Sequence, residues 1–289
     1  MTAPARFERA EGIPLVPLPP FRLADRAVET LVHGDADTWV VLPALDEARG
    51  IGATLAALEA QTLRPLVVCV VDNGSRDETV EVVRSWAAAV AAPGGPRRGL
   101  GVRLVREPEK GTGAAADTGM RVAAAAGARY LLRTDADSLP RPGWAARMRE
   151  RLASDMDLVA GRMVDRPDEG NPLPVRAILW VLVAVAAAIS VPKNHGRGYR
   201  TRFRMMMGSN VGIRASTYLA AGGFPRSAIE EVHDDRVLMN RTRRITDRIT
   251  GDRRAVVASS SRRYRRYGLR GVIAWYLHHE SGGEPIDVR

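Results

Sequence analysis

Asp135-Ala136-Asp137 follows the apolar run Tyr130-Leu131-Leu132, so two carboxylates stand two positions apart at the end of an expected strand. Carboxylates so spaced can share one divalent metal beside a bound diphosphate, and the C-terminal edge of a parallel sheet is where such ligands bind. Alone the triplet says little, because D-x-D also arises in solvated turns. Three other clusters give it meaning: Val71-Asp72-Asn73-Gly74-Ser75 upstream, Gly208-Ser209-Asn210 downstream, and His233-Asp234-Asp235 beyond that. Asp72, at a strand end, offers a carboxylate to a nucleobase N–H. Lys110-Gly111-x-Gly113 opens an Ala-rich helix and offers an anion both backbone N–H groups and the positive end of the helix dipole. His233, Asp234 and Asp235 begin another helical pattern, where acidic groups are usually caps or surface charges.

The elements that position these residues alternate. Trp39 to Leu42 and the fully apolar Leu66 to Val71 read as strands, the second as a central parallel strand covered on both faces. Residues 49 to 61 carry apolar positions at helical spacing. Ser75-x-x-Glu78 has the form of a capping box, with Ser75 capping a helix that continues through Val80, Val83 and Trp86. Residues 91 to 99 make a surface loop, 102 to 105 a third strand, 113 to 126 the Ala-rich helix and 129 to 134 a fourth strand. This β-α-β-α-β-α-β order predicts a doubly wound, mostly parallel α/β sheet with ligands at the C-terminal ends of its strands. Neither an internal repeat nor a boundary between independent domains is evident.

Of 289 residues, 45% are hydrophobic and 26% charged, as in ordinary globular chains. Cys69, the one cysteine, lies in the apolar run and reads as a buried small hydrophobe; no internal disulfide is available to the chain. The net charge of +10 is uneven: residues 193 to 270 hold 19 basic and 6 acidic side chains, a balance of +13. Apart from Lys110 and Lys193 the basic residues are arginines, which favour planar contacts to phosphate and carboxylate. Residues 177 to 191 are uncharged and mostly apolar. As a helix they reach roughly 22 Å, short of the roughly 30 Å bilayer core, so they fit a packed or interfacial helix better than a span. Arg262-Arg263-x-Arg265-Arg266, interleaved with Tyr264 and Tyr267, has a composition that suits polyanions, but no nucleic-acid recognition module accompanies it.

Taken in order, the motifs resemble those of the GT-A glycosyltransferases of family 2. Pro43, Asp46 and Glu47 are similar to the family's Pro-x-x-Asn/Asp-Glu segment, with Ala44 at a position that is often aromatic. Asp72-Asn73-Gly74-Ser75-x-Asp77-x-Thr79 resembles Asp-Asp-Gly-Ser-x-Asp-x-Thr, with Asn73 replacing the second acid. A Lys-Gly step matches Lys110-Gly111 and the helix glycine matches Gly119; Asp117 stands where Asn is frequent. Asn210, Arg214 and Gly222-Gly223-Phe224 match the acceptor-side Gly-x-Asn…Arg…Gly-Gly-Phe region. Asp235, aligned on Leu238 and Arg241, falls on the catalytic-base position and Asp234 on the acid before it, although Val237 replaces a second Asp.

The resemblance covers residues 38 to 270. It implies a GT-A sheet with a Rossmann-like nucleotide-binding half (38–140) and an acceptor and catalytic-base half (141–270), flanked by an N-terminal arm (1–37) without a signal peptide and a C-terminal tail (271–289). It implies an inverting, metal-dependent transfer of a sugar from a nucleoside diphosphate sugar to a hydroxyl acceptor. Pro43, Ala44, Leu45, Glu47, Asp72, Lys110, Gly111 and Asp135 would contact the donor, and Asp137 with Asp135 would hold Mg2+ or Mn2+. Asn210 would orient the acceptor, and Asp235, supported by Asp234, would remove its proton. The basic C-terminal segment would fold over the diphosphate. A cytoplasmic location is expected, with the inner membrane face as a candidate contact. Sugar-phosphate nucleotidyltransferases share this kind of sheet, but their Gly-rich loop followed by Arg has no counterpart between Pro43 and Gly52. A non-catalytic polyanion binder would leave Asp72, Asp137 and Asp235 without purpose.

Overall fold

The computed structural model describes residues 26–93, 99–170, 181, 191, 194–226, 234–260 and 262. Most of the apolar stretch 177–191, the middle of the 91–99 loop, His233 and the arginines at 263, 265 and 266 lie outside the described residues. Among the described residues, no helix is long and apolar enough to cross a membrane.

One nine-stranded sheet runs through the chain. Its strands are β1 (Val28–Val32), β2 (Thr38–Ala44), β3 (Leu66–Asp72), β4 (Leu100–Arg106), β5 (Tyr130–Arg133), β6 (Ser138–Pro140), β7 (Leu158–Asp165), β8 (Val211–Arg214) and β9 (Ile249–Ser259), in the spatial order β1-β4-β3-β2-β5-β8-β7-β9-β6. The four expected strands form the parallel block β4-β3-β2-β5. β8 then runs antiparallel to both β5 and β7, while β7 and β9 pair in parallel. Six α-helices are described: α1 (Ile51–Glu59), α2 (Thr79–Ala91), α3 (Thr112–Ala125), α4 (Trp144–Ala153), α5 (Ala215–Ala220) and α6 (Asp234–Ile245).

β2 and β3 have no exposed residue, as their uninterrupted apolar composition requires, and the sheet divides the core in two. On one face Val41, Cys69 and Val71 meet α3, α5 and α6; on the other Val40, Val68 and Val70 meet α1, α2 and α4. α3 is built from Ala and Gly because it lies almost on the backbone of the sheet. A Cβ at Gly119 would stand 2.4 Å from Val41 Cγ1, and one at Gly113 would stand 2.3 Å from the Pro225 carbonyl oxygen. Cys69 is fully buried, and burial pushes its thiol pKa up to about 12, consistent with an inert packing residue.

Two local expectations need correction. Val28–Val32, assigned to the N-terminal arm, is an antiparallel edge strand on β4. Ser75 does not cap a helix. α2 starts at Thr79 with Glu78 at the N-cap position, Ser75 Oγ instead accepts the Asp46 N–H (3.0 Å), and Asp77 accepts from the Thr79 N–H (3.0 Å) and the Thr79 hydroxyl. The chain gains more by tying the β2 and β3 loops together than by starting the helix one turn earlier.

Candidate active site

Sheet order creates the site. From β2 the chain steps outward to β3 and β4, then returns to place β5 on the other side of β2, so the loops after β2 and β5 diverge and leave a crevice between them. Pro43 helps to open it. The last β5 contact to β2 is the Thr134 N–H on the Val41 carbonyl, and by strand alternation the nitrogen of Pro43, which has no hydrogen, faces the same side one step beyond.

The β2 and β3 ends lie side by side, with Ala44 in register with Asp72. Pro43, Ala44 and Asp72 are buried, and Asp72 Oδ1 accepts the Ser75 N–H (3.0 Å), bracing the turn that Gly74 makes at φ +88°. Asn73 explains its own departure from the Asp-Asp pattern. Its Nδ2 donates to the carbonyls of Glu107 (3.0 Å) and Glu109 (2.7 Å), and its Oδ1 accepts the Gly111 N–H (2.9 Å). A carboxylate makes none of those donations. Asn73 therefore fastens the Lys110-Gly111 step beside Asp72. Leu45, Asp46, Asn73, Gly74, Arg76 and Lys110 line a recess of about 140 Å³ at this corner. A larger recess of about 340 Å³, lined by Asp157, Arg214, Thr217 and Arg248 among others, lies at the opposite sheet edge, where Asp157 already pairs with Arg248 (3.0 Å).

Across the crevice, Ala136 is buried and its carbonyl accepts the Thr54 hydroxyl (2.7 Å) from α1, which pins the centre of the D-x-D loop. Asp135 and Asp137 project from either side of that anchor. Arg133 Nη2 lies 3.4 Å from Asp135 Oδ1, and Arg262 Nη2 lies 3.2 Å from Asp137 Oδ2. Arg262 also grips Glu47 in a two-pronged ion pair, Nη1 to Oε2 at 2.8 Å and Nη2 to Oε1. Among the described residues no group of three or more His, Cys, Asp or Glu side chains converges as a metal cage. The donor set still suits Mg2+ or Mn2+. Both acids are hard oxygen donors, such ions commonly take only one or two carboxylates beside substrate phosphates, and Asp137 already carries a cation in the form of Arg262.

Arg133 joins this side to the proposed base. Its guanidinium is buried beneath the Phe224 ring (4.7 Å to the centroid) and pairs with Asp234 Oδ2 at 2.8 Å. Gly208 leaves room for it, since a Cβ there would meet Arg133 Nη1 at 3.0 Å. Burial works against the charge on Arg133, yet Asp234 and Asp135 outweigh it and raise its pKa. Asp234 Oδ1 in turn accepts the Asp235 N–H (2.8 Å). The carboxyl of Asp235 has its pKa pushed up to about 7, first by burial and then by the adjacent negative charge of Asp234. Arg226 anchors the chain just before these residues, pairing with Glu107 (2.9 Å), Glu109 (2.8 Å) and Asp117 (3.2 Å). Asp117 also accepts from the Tyr218 hydroxyl (2.8 Å), so it belongs to a scaffold of buried charge behind α3.

Asn210 differs from its expected place at the acceptor. It has no exposed surface; Oδ1 accepts from Trp144 Nε1 (2.8 Å), and Nδ2 donates to the carbonyls of Arg162 (3.0 Å) and Ala255 (3.2 Å). Every polar group of its side chain is spent holding α4, β7 and β9 together. Arg214 likewise lies away from the crevice, beside Asp157.

Residues 39–217, more than half of the chain, match the family model described as glycosyl transferase family 2. The chain belongs to that family. Solved structures agree on the fold, a GT-A sheet of the same kind. A mannosyltransferase from Pyrobaculum calidifontis in complex with GDP-Man and Mn2+ is 24% identical with a TM-score of 0.55, over 77% of this chain and 56% of that one. S. aureus TarS 1–349 in complex with UDP-GlcNAc is 13% identical (TM-score 0.55; 78% and 58% covered). Glucosyl-3-phosphoglycerate synthase from Mycobacterium tuberculosis in complex with Mn2+, UDP-glucose and phosphoglyceric acid is 15% identical (TM-score 0.51; 83% and 78% covered). The chain thus spans little more than half the length of the first two. A comparison with curated proteins finds no match.

Arg133 lies outside the motifs named from the sequence. Replacing it by Met should leave the partly buried Asp234 without its counter-charge. The expected loss is on the order of 3 kcal/mol of stability, mostly through Asp234, because Asp135 keeps access to water. Urea denaturation checks it; an unchanged midpoint would make the pair dispensable.

Proposed function

We propose that this family 2 chain is a metal-dependent, inverting glycosyltransferase that moves a sugar from a nucleoside diphosphate sugar to a hydroxyl acceptor. The observation that carries the reading is the shared placement of two kinds of carboxylate. Asp135 and Asp137 stand on the β5 side of the switch-point crevice, and Asp235, a carboxyl whose pKa burial pushes up to about 7, is linked to Asp135 through Asp234 and Arg133. The neighbouring structures with nucleotide sugars and Mn2+ support it.

Leu45, Asp46 and Lys110 line the corner that suits a base and ribose, with Asp72 buried beside it, and Lys110 offers positive charge to the phosphates. Asp137 and Asp135 would hold the divalent cation, which supplies Lewis-acid neutralisation of the diphosphate leaving group. Asp235 would accept the acceptor's hydroxyl proton as that oxygen attacks the anomeric carbon from the face opposite the diphosphate. Such displacement inverts the anomeric configuration. A base with a pKa near the working pH is both available as the anion and strong enough to take the proton. Asp234 stays on Arg133 and positions its neighbour.

The pH dependence follows directly. Asp235 must be ionised, so kcat/KM should rise with pH through about 7 and flatten above it. A rate already flat from pH 5 would assign the base elsewhere. The reaction class is tested by offering UDP-, GDP- and dTDP-sugars with Mn2+ and simple glycoside or lipid-phosphate acceptors, and detecting products by mass spectrometry. Release of nucleoside diphosphate with a glycosylated product supports the transferase. Formation of a nucleotide sugar from a sugar phosphate and a nucleoside triphosphate would instead establish a nucleotidyltransferase.

A further inference from the structure

We propose that Arg262 is a built-in cation that closes the donor crevice of the free protein and yields Asp137 to the metal when a diphosphate arrives. This rests on Asp137 as a metal-holding residue, as argued above. Glu47 belongs to the loop after β2 and Asp137 to the loop after β5, so one guanidinium spans the mouth of the switch-point crevice. Its chain segment is a strap with a fixed root. The Ser259 carbonyl accepts the Arg166 N–H (3.2 Å), the Ser260 hydroxyl donates to Glu169 Oε1 (2.5 Å), and Ser260 Oγ accepts the Arg262 N–H (3.2 Å). The guanidinium at the end of that strap does the bridging. Its side chain keeps 36% exposure against 18% for Asp137 and 11% for Glu47, so it sits at the opening and not beneath it.

Charge makes the two occupants of Asp137 exclusive. A guanidinium and a divalent cation sharing one carboxylate oxygen repel each other at close range in a partly desolvated site. A diphosphate changes the balance, because its oxygens offer the same planar fork a two-pronged partner. Arg262 can then exchange carboxylate for phosphate while the metal takes Asp137. Two consequences follow by linkage. Metal binds the free protein weakly, and metal and nucleotide strengthen each other's binding by more than their direct contact accounts for. The device keeps the carboxylates compensated between turnovers and ties metal loading to donor arrival.

The test is a Mn2+ titration followed by electron paramagnetic resonance, without nucleotide, on the wild type, Arg262→Gln, and Arg262→Gln combined with Asp137→Asn. Thermal unfolding of each variant confirms the fold. The expected result is Mn2+ binding about tenfold tighter in Arg262→Gln, within the roughly 5–150-fold range of ordinary couplings, and lost again in the double variant. The same titration with saturating UDP, GDP or dTDP should show weaker nucleotide synergy in Arg262→Gln than in the wild type. Unchanged or weaker metal affinity in Arg262→Gln overturns the proposal, as does a gain that survives Asp137→Asn. Nucleotide-dependent Mn2+ binding in the wild type without a gain in Arg262→Gln removes the plug and leaves the metal site standing. Absence of Mn2+ binding in every protein, with and without nucleotide, removes both.

Discussion

Asp235→Asn should lower kcat by about 10²–10⁴-fold while nucleotide affinity stays close to wild type, because the amide keeps the shape of the carboxylate and cannot take a proton. The same substitution should stabilise the fold at alkaline pH. The folded-state pKa of Asp235 is raised above its ordinary value of 3.8 to about 7, so its contribution to stability is full below about pH 4 and is lost as pH rises through 7. At pH 8 the wild type bears that cost and the variant does not. A gain on the order of 1–3 kcal/mol is expected at pH 8, shrinking towards pH 5. Asp234→Asn should give a smaller loss of rate, since Asp234 supports the loop through Arg133 and the Asp235 N–H. Single-turnover rates together with denaturation at both pH values check the pair. The opposite ranking of rates would move the base to Asp234; near-wild-type rates in both would refute the displacement mechanism.

Asp137→Ala should abolish turnover and remove the metal-enhanced part of nucleotide binding. Loss of the charge that organises the leaving group costs several kcal/mol in the transition state, so no measurable product is expected. Folding should be little affected. Asp137 is partly exposed, and its loop stays pinned by Thr54 on the Ala136 carbonyl and by Arg166 on the Asp137 carbonyl. Arg262 retains Glu47. Product formation by this variant at even a tenth of the wild-type rate would separate the D-x-D acids from catalysis.

The parallel block was readable because its strands are buried on both faces and therefore continuously apolar, as in Leu66 to Val71. β1 was not, because an edge strand with one covered side needs no such run; Val28-Glu29-Thr30 is exposed. Ser75 misled for a different reason. A sequence shows that a hydroxyl precedes a helix, but not that the Asp46 N–H, 29 positions earlier, claims it. Asn210 is the sharpest case. Its flanking glycine and serine suggest an open loop, whereas its partners Trp144, Arg162 and Ala255 come from elements that only the folded sheet brings together. Arg133 carries a signal of its own: a cation ending an otherwise apolar strand, two positions before Asp135, needs partners to offset its burial. The acids of the donor side were legible because loops at strand ends bear function with little packing duty.

The central claim is that the β2–β5 crevice binds a nucleoside diphosphate together with a divalent metal. Isothermal titration of UDP, GDP and dTDP into the wild type, each with and without Mn2+, tests it most directly. At least one nucleotide should bind, at least about tenfold tighter with Mn2+ than without, a factor inside the usual coupling range. Binding of none of them at millimolar concentration, with or without metal, would contradict it.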